Sequence, residues 1–160
     1  MNNEFNLHFE LVNNRNRREI KELKIRSTQE HFIESVEKCL EEADELAIWC
    51  PVGIYDGDTL VGFAMYGYFS EPAPGQLWLD RLLIDKKYQG KGYGKQAVLA
   101  LLDKLHAEYP SDVIYLSVYP NNMPAIQLYQ TVGFHFNGEQ DKNGESIMVY
   151  VPKEHKNQKS

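Results

Sequence analysis

The sequence predicts an α/β fold, a mixed sheet with helices on both faces, and three observations lead there. Short segments alternate apolar and polar residues at the period of a strand, from Phe5 near one end to Val151 near the other. Between them lie segments whose apolar residues recur at helical spacing. The two kinds interleave as β-α-α-β-β-β-α-β-α-β-β, which neither an all-helical bundle nor a β-sandwich would produce.

Phe5–Val12 opens as a strand, with Phe5, Leu7, Phe9 and Leu11 on one side. A polar, basic helix follows from Asn13 to about Leu23, then a bend over Lys24–Thr28. Ser27 or Thr28 is the expected cap of a second helix with the stripe Phe32, Val36, Cys39, Leu40 and Ala43. Trp49–Tyr55 and Leu60–Phe69 form a hairpin around Asp56-Gly57-Asp58, since Asp-Gly favours the tight turns that match strand twist. Ser70–Gly75, with Pro72 and Pro74, ends its second arm. Leu77–Ile84 reads as a strand with Leu77, Leu79, Arg81 and Leu83 on one side and Asp80 on the other. The helix Gly92–Tyr109 buries Ala97, Val98, Leu101, Leu102 and Leu105 and stops at Pro110. Val113–Val118 is a buried strand. Pro120-Asn121-Asn122 turns into a helix that Gly133 ends. The hairpin Phe134–Gln140 and Ser146–Val151 closes the fold.

The chain has 160 residues, a length that favours one domain, expected over residues 1–152 with a polar tail at 153–160. Hydrophobic residues at 42% and charged residues at 25% exclude wholesale disorder. No apolar run reaches the roughly 18–20 residues that span a bilayer, and MNNEFNLHFE is not a secretory signal. The net charge of −6 argues against a nucleic-acid binder and leaves room for a cationic partner. Cys39 and Cys50 are too few for a disulfide framework, and the five scattered histidines show no metal-ligand spacing. A reduced, cytoplasmic setting is expected, with no metal and no membrane partner.

The most informative segment is Gln89-Gly90-Lys91-Gly92-Tyr93-Gly94-Lys95, between a strand and a long helix. Alternate glycines free the backbone to adopt unusual φ values and to approach a ligand closely. The helix start supplies unpaired N–H groups and a positive dipole end, which suit a pyrophosphate. The segment lacks the GK[ST] ending of a Walker A loop and the spacing of a dinucleotide fingerprint.

Residues 89–94 resemble the (Q/R)-x-x-G-x-(G/A) loop of the GCN5-related N-acetyltransferase (GNAT) family. Asn122, Ala125, Leu128, Tyr129, Gly133 and Phe134 are similar to its second block, N-x-x-A-x-x-L-Y-x-x-x-G-F. Within that family, the chain resembles the spermine/spermidine acetyltransferases of bacilli at Pro51-Val52-Gly53, 60–67, Trp78-Leu79-Asp80-Arg81 and 136–139. The resemblance implies the GNAT fold: about seven mostly antiparallel strands with a splayed central pair. It also implies acetyl-CoA as cosubstrate and favours a homodimer. By position, the backbone of Leu82, Leu83 and Ile84 would hydrogen-bond the pantetheine arm. Gln89, Gly90, Lys91, Gly92, Tyr93, Gly94 and Lys95 would hold the pyrophosphate, and Asn122 would contact the arm from the far side. Tyr129 would protonate the leaving thiolate. Each has a plainer role too: core for 82–84, helix cap for Asn122, core aromatic for Tyr129.

An alkylammonium of pKa about 10.4 needs (10.4 − 7) × 1.36, about 4.6 kcal/mol, to reach its free base at pH 7. Asp80 is the first candidate to assist that deprotonation, or else it forms an ion pair. Arg81, expected on the opposite face, would leave it available. Between Glu34 and Glu45 stand six acids and one base, Lys38. Glu34, Glu37 and Glu41 share a helical stripe, either a solvated face or a wall that steers a polycation. Tyr66 would pack on methylenes or ammonium groups, or serve as an ordinary sheet residue. The expected activity is direct acetyl transfer from acetyl-CoA to a primary amine of spermidine or spermine. Another small amine or a peptide N-terminus is the alternative acceptor, and a non-catalytic acyl-CoA-binding module the alternative class.

Overall fold

The computed structural model describes residues 5–24, 35–71, 75–110 and 112–152. Seven strands, β1 (Leu7–Leu11), β2 (Trp49–Asp56), β3 (Thr59–Phe69), β4 (Gln76–Ile84), β5 (Ile114–Val118), β6 (His135–Gln140) and β7 (Ser146–Tyr150), form one sheet. Their spatial order is β1-β2-β3-β4-β5-β7-β6, and only the β4–β5 pair is parallel. The described helices are α1 (Arg17–Lys21), α2 (Val36–Glu45), α3 (Tyr93–Glu108) and α4 (Met123–Val132). The expected element order holds, with a 3₁₀ turn at Lys86–Tyr88 added.

Two apolar clusters fix which helix covers which face. Ala97, Val98, Leu101, Leu102 and Leu105 of α3 pack with Ile126 of α4 on Leu77, Leu79, Ile114, Leu116 and Met148. On the other face Ile20 of α1 and Val36, Cys39 and Leu40 of α2 pack on Phe63, Met65 and Leu83. Leu83 therefore lies opposite Leu77 and Leu79, against expectation. The register pairs Tyr66 with Leu79 and Met65 with Arg81, so Asp80 is the extra residue of a β-bulge. A bulge inserts one residue into the alternation and inverts it from there on.

The helices near the amino-terminal end are shorter than their polar patterns. Helix α1 has 5 residues, because Asn13 and Asn16 exchange local side-chain hydrogen bonds over 13–16 and hold a turn there. Helix α2 starts after Ser35, whose hydroxyl accepts from the Lys38 N–H at 3.2 Å. The expected cap at Ser27 or Thr28, the bend beyond Lys24, Phe32 and Glu34 lie outside the described residues, as do Pro72, Pro74 and the tail 153–160.

Beside the parallel pair the sheet comes apart. β4 and β5 share a ladder only at Leu77–Ile114 and Trp78–Tyr115. Beyond those rungs β4 runs on to Ile84 against β3, while β5 runs on to Val118 against β7. The result is a V open toward the carboxyl ends of both strands, where α3 and α4 begin.

Candidate active site

The loop after β4 is built to hold its shape. Asp85, only 5% exposed, accepts hydrogen bonds from the Lys24 N–H at 3.1 Å and the Lys87 N–H at 2.9 Å. One buried carboxylate so caps the 3₁₀ turn and ties it to the end of α1. The Gln89 side-chain amide donates to the Ile84 carbonyl at 2.8 Å, which closes the loop on the strand it leaves. Sequence reasoning missed both roles; an Asp directly after a strand and before a basic turn was the available signal for Asp85.

Gly90 and Gly92 have φ of +80° and +92°, in the left-handed region that costs a side chain roughly 1–2 kcal/mol. Gly92 is the N-cap of α3, so the amides of its first turn emerge beside it, without partners inside the helix. Gly94 is helical, and a Cβ there would meet Leu128 of α4 at 3.6 Å, ordinary contact. Lys91 and Lys95 are exposed. The Tyr93 side chain is engaged elsewhere: its hydroxyl donates to Asp56 at 2.5 Å, and its ring meets Phe5 and Tyr88 edge-on. That hydrogen bond, with burial, pushes its pKa up to about 12. What Tyr93 offers an anion at this loop is its backbone N–H.

Across the V, Asn122 stands at the N-cap of α4, but its side chain makes no capping hydrogen bond, so capping does not explain it. Tyr129 is partly buried, edge-on to Phe134 at 5.6 Å between ring centres. Burial pushes its pKa up to about 12, so the phenol is protonated at neutral pH. Of the three β4 residues assigned to the arm, Leu83 is buried in the second cluster and the Ile84 carbonyl already serves Gln89.

On the acceptor side the structure corrects the placing of Arg81 and narrows two open readings. Arg81 does not face away from Asp80: the bulge brings both side chains together, with Nη1 of Arg81 3.0 Å from Oδ2 of Asp80 and 2.8 Å from its carbonyl oxygen. Both side chains are about one-quarter exposed, at 24% and 23%. Tyr66 lies in the core, and its hydroxyl donates to Glu108 at 3.3 Å. It is an ordinary sheet residue whose phenol burial holds protonated. The acidic stripe of α2 is partly answered by α1. Arg17 makes a two-point pair with Asp44 at 2.7 and 3.2 Å, and Glu37 shares a surface recess with Arg17, Arg18 and Lys21. Glu41 is exposed. Cys39 is buried and Cys50 half-buried, and burial raises the Cys50 thiol. Among the described residues, no helix is long and apolar enough to cross a membrane, and no group of three metal-ligating side chains gathers.

The "Acetyltransferase (GNAT) family" model matches residues 14–134. The chain is 47% identical over 147 residues to the spermine/spermidine N(1)-acetyltransferase of Bacillus subtilis, covering 89% of this chain and 97% of that one. Among solved structures it is similar to aminoglycoside acetyltransferase AAC(6')-Ib in complex with coenzyme A (TM-score 0.77, 21% identity, 96% of this chain and 99% of that one). It is also similar to spermidine N-acetyltransferase from Vibrio cholerae in complex with CoA and spermine (TM-score 0.71, 17% identity, 94% of this chain and 98% of that one). At such identities the structural likeness establishes the shared fold.

Proposed function

The chain belongs to the GNAT acetyltransferase family, and from that premise we propose that it transfers the acetyl group of acetyl-CoA directly to a primary amine of spermidine or spermine. The observation that carries the acceptor is the 47% identity that spans 97% of the Bacillus subtilis spermine/spermidine enzyme. Its solvent is the cytoplasm and its assembly a homodimer.

Acetyl-CoA supplies the acetyl group as a thioester. The residues present fit it. A left-handed glycine loop opens onto the amides of α3, and the unpaired edge of β4 beyond Trp78 offers backbone groups at strand spacing. The loop amides from Gln89 through Lys95 hold the pyrophosphate, with Lys91 and Lys95 adding charge. Leu82 and Leu83 hold the arm through their backbones on one side of the V, and Asn122 on the other.

Asp80 binds the incoming ammonium and passes its proton to water. Because Arg81 already pairs with it, the substrate cation shares the carboxylate rather than meeting an isolated charge. Tyr129, kept protonated by burial, donates to the sulfur as negative charge develops there. No covalent enzyme intermediate is needed, and neither cysteine lies in the loop or in α4.

The test is CoA release by purified protein with acetyl-CoA and one amine at a time. Spermidine and spermine should be turned over far faster than aminoglycosides, amino acids or peptides. Tight acetyl-CoA binding without CoA release on any amine would leave a binding module in place of an enzyme.

A further inference from the structure

The splay of β4 from β5 leaves a row of side chains on the face opposite α3 and α4. Trp78 and Tyr115 form the last paired rung before the strands part. Their rings stack there, 5.2 Å between centres and 24° apart in plane. The indole is held in place by its N–H donating to Gln76 Oε1 at 3.0 Å. Both residues alternate with members of the α3–α4 core (Leu77 and Leu79 on β4, Ile114 and Leu116 on β5), so both point to the other face. Two residues further along β5 the same face carries Ser117, whose hydroxyl donates to Glu145 Oε1 at 3.2 Å. Glu145 comes from the β6–β7 turn, two residues before Ile147, the β7 partner of Ser117. The closed end of the V is thus aromatic, with the Asp80–Arg81 pair at the β4 bulge two residues past Trp78 and Glu145 beyond β5.

We infer that Trp78 and Tyr115 are the floor of the acceptor channel and that Glu145, oriented by Ser117, binds a second ammonium group of the substrate. This deepens the polyamine reading and rests on it. Paired strands lie about 4.8 Å apart, so β4 and β7, separated by β5, stand about 10 Å apart and further where the sheet has opened. A monoamine cannot reach both carboxylates. A linear alkyl chain carrying two ammonium groups that far apart can, with its methylenes over the stacked rings and a cation against a ring face. A rigid, hydroxyl-rich aminocyclitol or a peptide backbone would find few polar partners over the indole and phenol rings.

The decisive variant is Glu145→Gln. Its fold is secure, because the turn is held by Asp141: Oδ1 accepts from the N–H groups of Asn143 and Glu145, and the Asp141 N–H donates to the Glu145 carbonyl. The Gln amide oxygen also keeps the acceptor for Ser117. KM for spermidine should rise about tenfold, the scale of one charge-assisted contact. KM for acetyl-CoA and for n-butylamine should stay within twofold. Equal rises for spermidine and n-butylamine, or no rise for either, would overturn the assignment.

A binding measurement separates this inference from the activity it rests on. In a Trp49→Phe background Trp78 is the sole indole, since the chain has two tryptophans. Spermidine titrated into the CoA-saturated protein should shift Trp78 emission, and Glu145→Gln should move that titration to about tenfold higher concentration. A Trp78 response with no acetylation would defeat the proposed enzyme while keeping the site. Acetylation of spermidine without any Trp78 response would defeat the site while keeping the enzyme.

Discussion

Replacing Tyr129 by Phe tests the proton donor, and the structure states what the change removes. The ring meets Phe134 edge-on at 5.6 Å, and the Tyr129 carbonyl accepts from the N–H groups of Gly133 and Phe134. Phe preserves the ring contact and the backbone bonds, so stability should change by less than about 1 kcal/mol. What is lost is one O–H donor, and general acid catalysis contributes typically about 10²–10⁴-fold, or about 3–5 kcal/mol of barrier.

The pH dependence sharpens that test. A phenol raised by burial to about 12 is active in its protonated form, which persists until the pH approaches that value. A donor with the ordinary tyrosine pKa of about 10 would be half lost at pH 10. kcat measured under amine saturation should therefore show no descending limb up to pH 10. The mismatch has a cost, since an exposed thiol titrates near 8.5 and full proton transfer from a phenol at 12 is uphill by about (12 − 8.5) × 1.36, or roughly 4.8 kcal/mol. On that balance the proton moves as charge builds on the sulfur and not ahead of it. Kinetics from pH 6 to 10 on both proteins, with CoA affinity by calorimetry, provide the assay. A kcat within threefold of the parent for Tyr129→Phe, or an alkaline limb centred near 10 in the parent, would refute the reasoning.

Three further outcomes follow from the site. Gly92→Ala should lose about 1–2 kcal/mol in thermal unfolding, because φ there is +92°, while Gly94→Ala should gain up to about 1 kcal/mol at a helical position where a Cβ meets only ordinary contact; both should weaken acetyl-CoA in calorimetry if the backbone lies against the pyrophosphate. Asp85→Ala orphans two backbone N–H groups and should cost about 2–4 kcal/mol in denaturant unfolding, with a raised KM for acetyl-CoA and little change in the KM for spermidine. Asp80→Asn leaves the Arg81 guanidinium short of its partner, so it should destabilise by about 1–3 kcal/mol and lower kcat/KM for spermidine at least tenfold at pH 7, with acetyl-CoA affinity held.

Much of this molecule was legible because its chemistry is carried by local signals. The Asp56-Gly57 turn, the stripe of α3 and the left-handed Gly133 each follow from period and turn chemistry over a few residues, and the structure places them as read. The glycine loop was legible for the same reason. The failures are non-local. Nothing within 77–84 announces that Asp80 is a bulge, because a bulge is defined by the register of the neighbouring strand. The inverted alternation then misplaced Leu83 and hid the Asp80–Arg81 pair. Tyr66 stays open between a substrate contact and an ordinary sheet residue in the sequence, because strand period alone cannot say whether a helix covers a face; here α3 does, and Glu108 near its end meets the hydroxyl. Phe5 was placed in the first strand, yet its ring meets Tyr93 at the start of α3, a partner 88 positions away.

The same distinction relocates the charge argument. A net charge of −6 with six acids between Glu34 and Glu45 points to α2 as the cation-facing surface. In three dimensions Arg17 pairs with Asp44, and Glu37 shares a recess with Arg17, Arg18 and Lys21, so part of that field is answered within the α1–α2 pair. The acceptor side as proposed uses fewer acids: Asp80, which shares its carboxylate with Arg81, and Glu145 near two stacked rings. On the proposed site, two carboxylates beside the rings would bind a diammonium more selectively than a larger number on a solvated helix, which water and salt screen. If so, neutralising Glu37 and Glu41 together should leave the KM for spermidine nearly unchanged at 0.15 M salt, whereas Glu145→Gln alone raises it. A larger effect from the helix pair would return the substrate to α2.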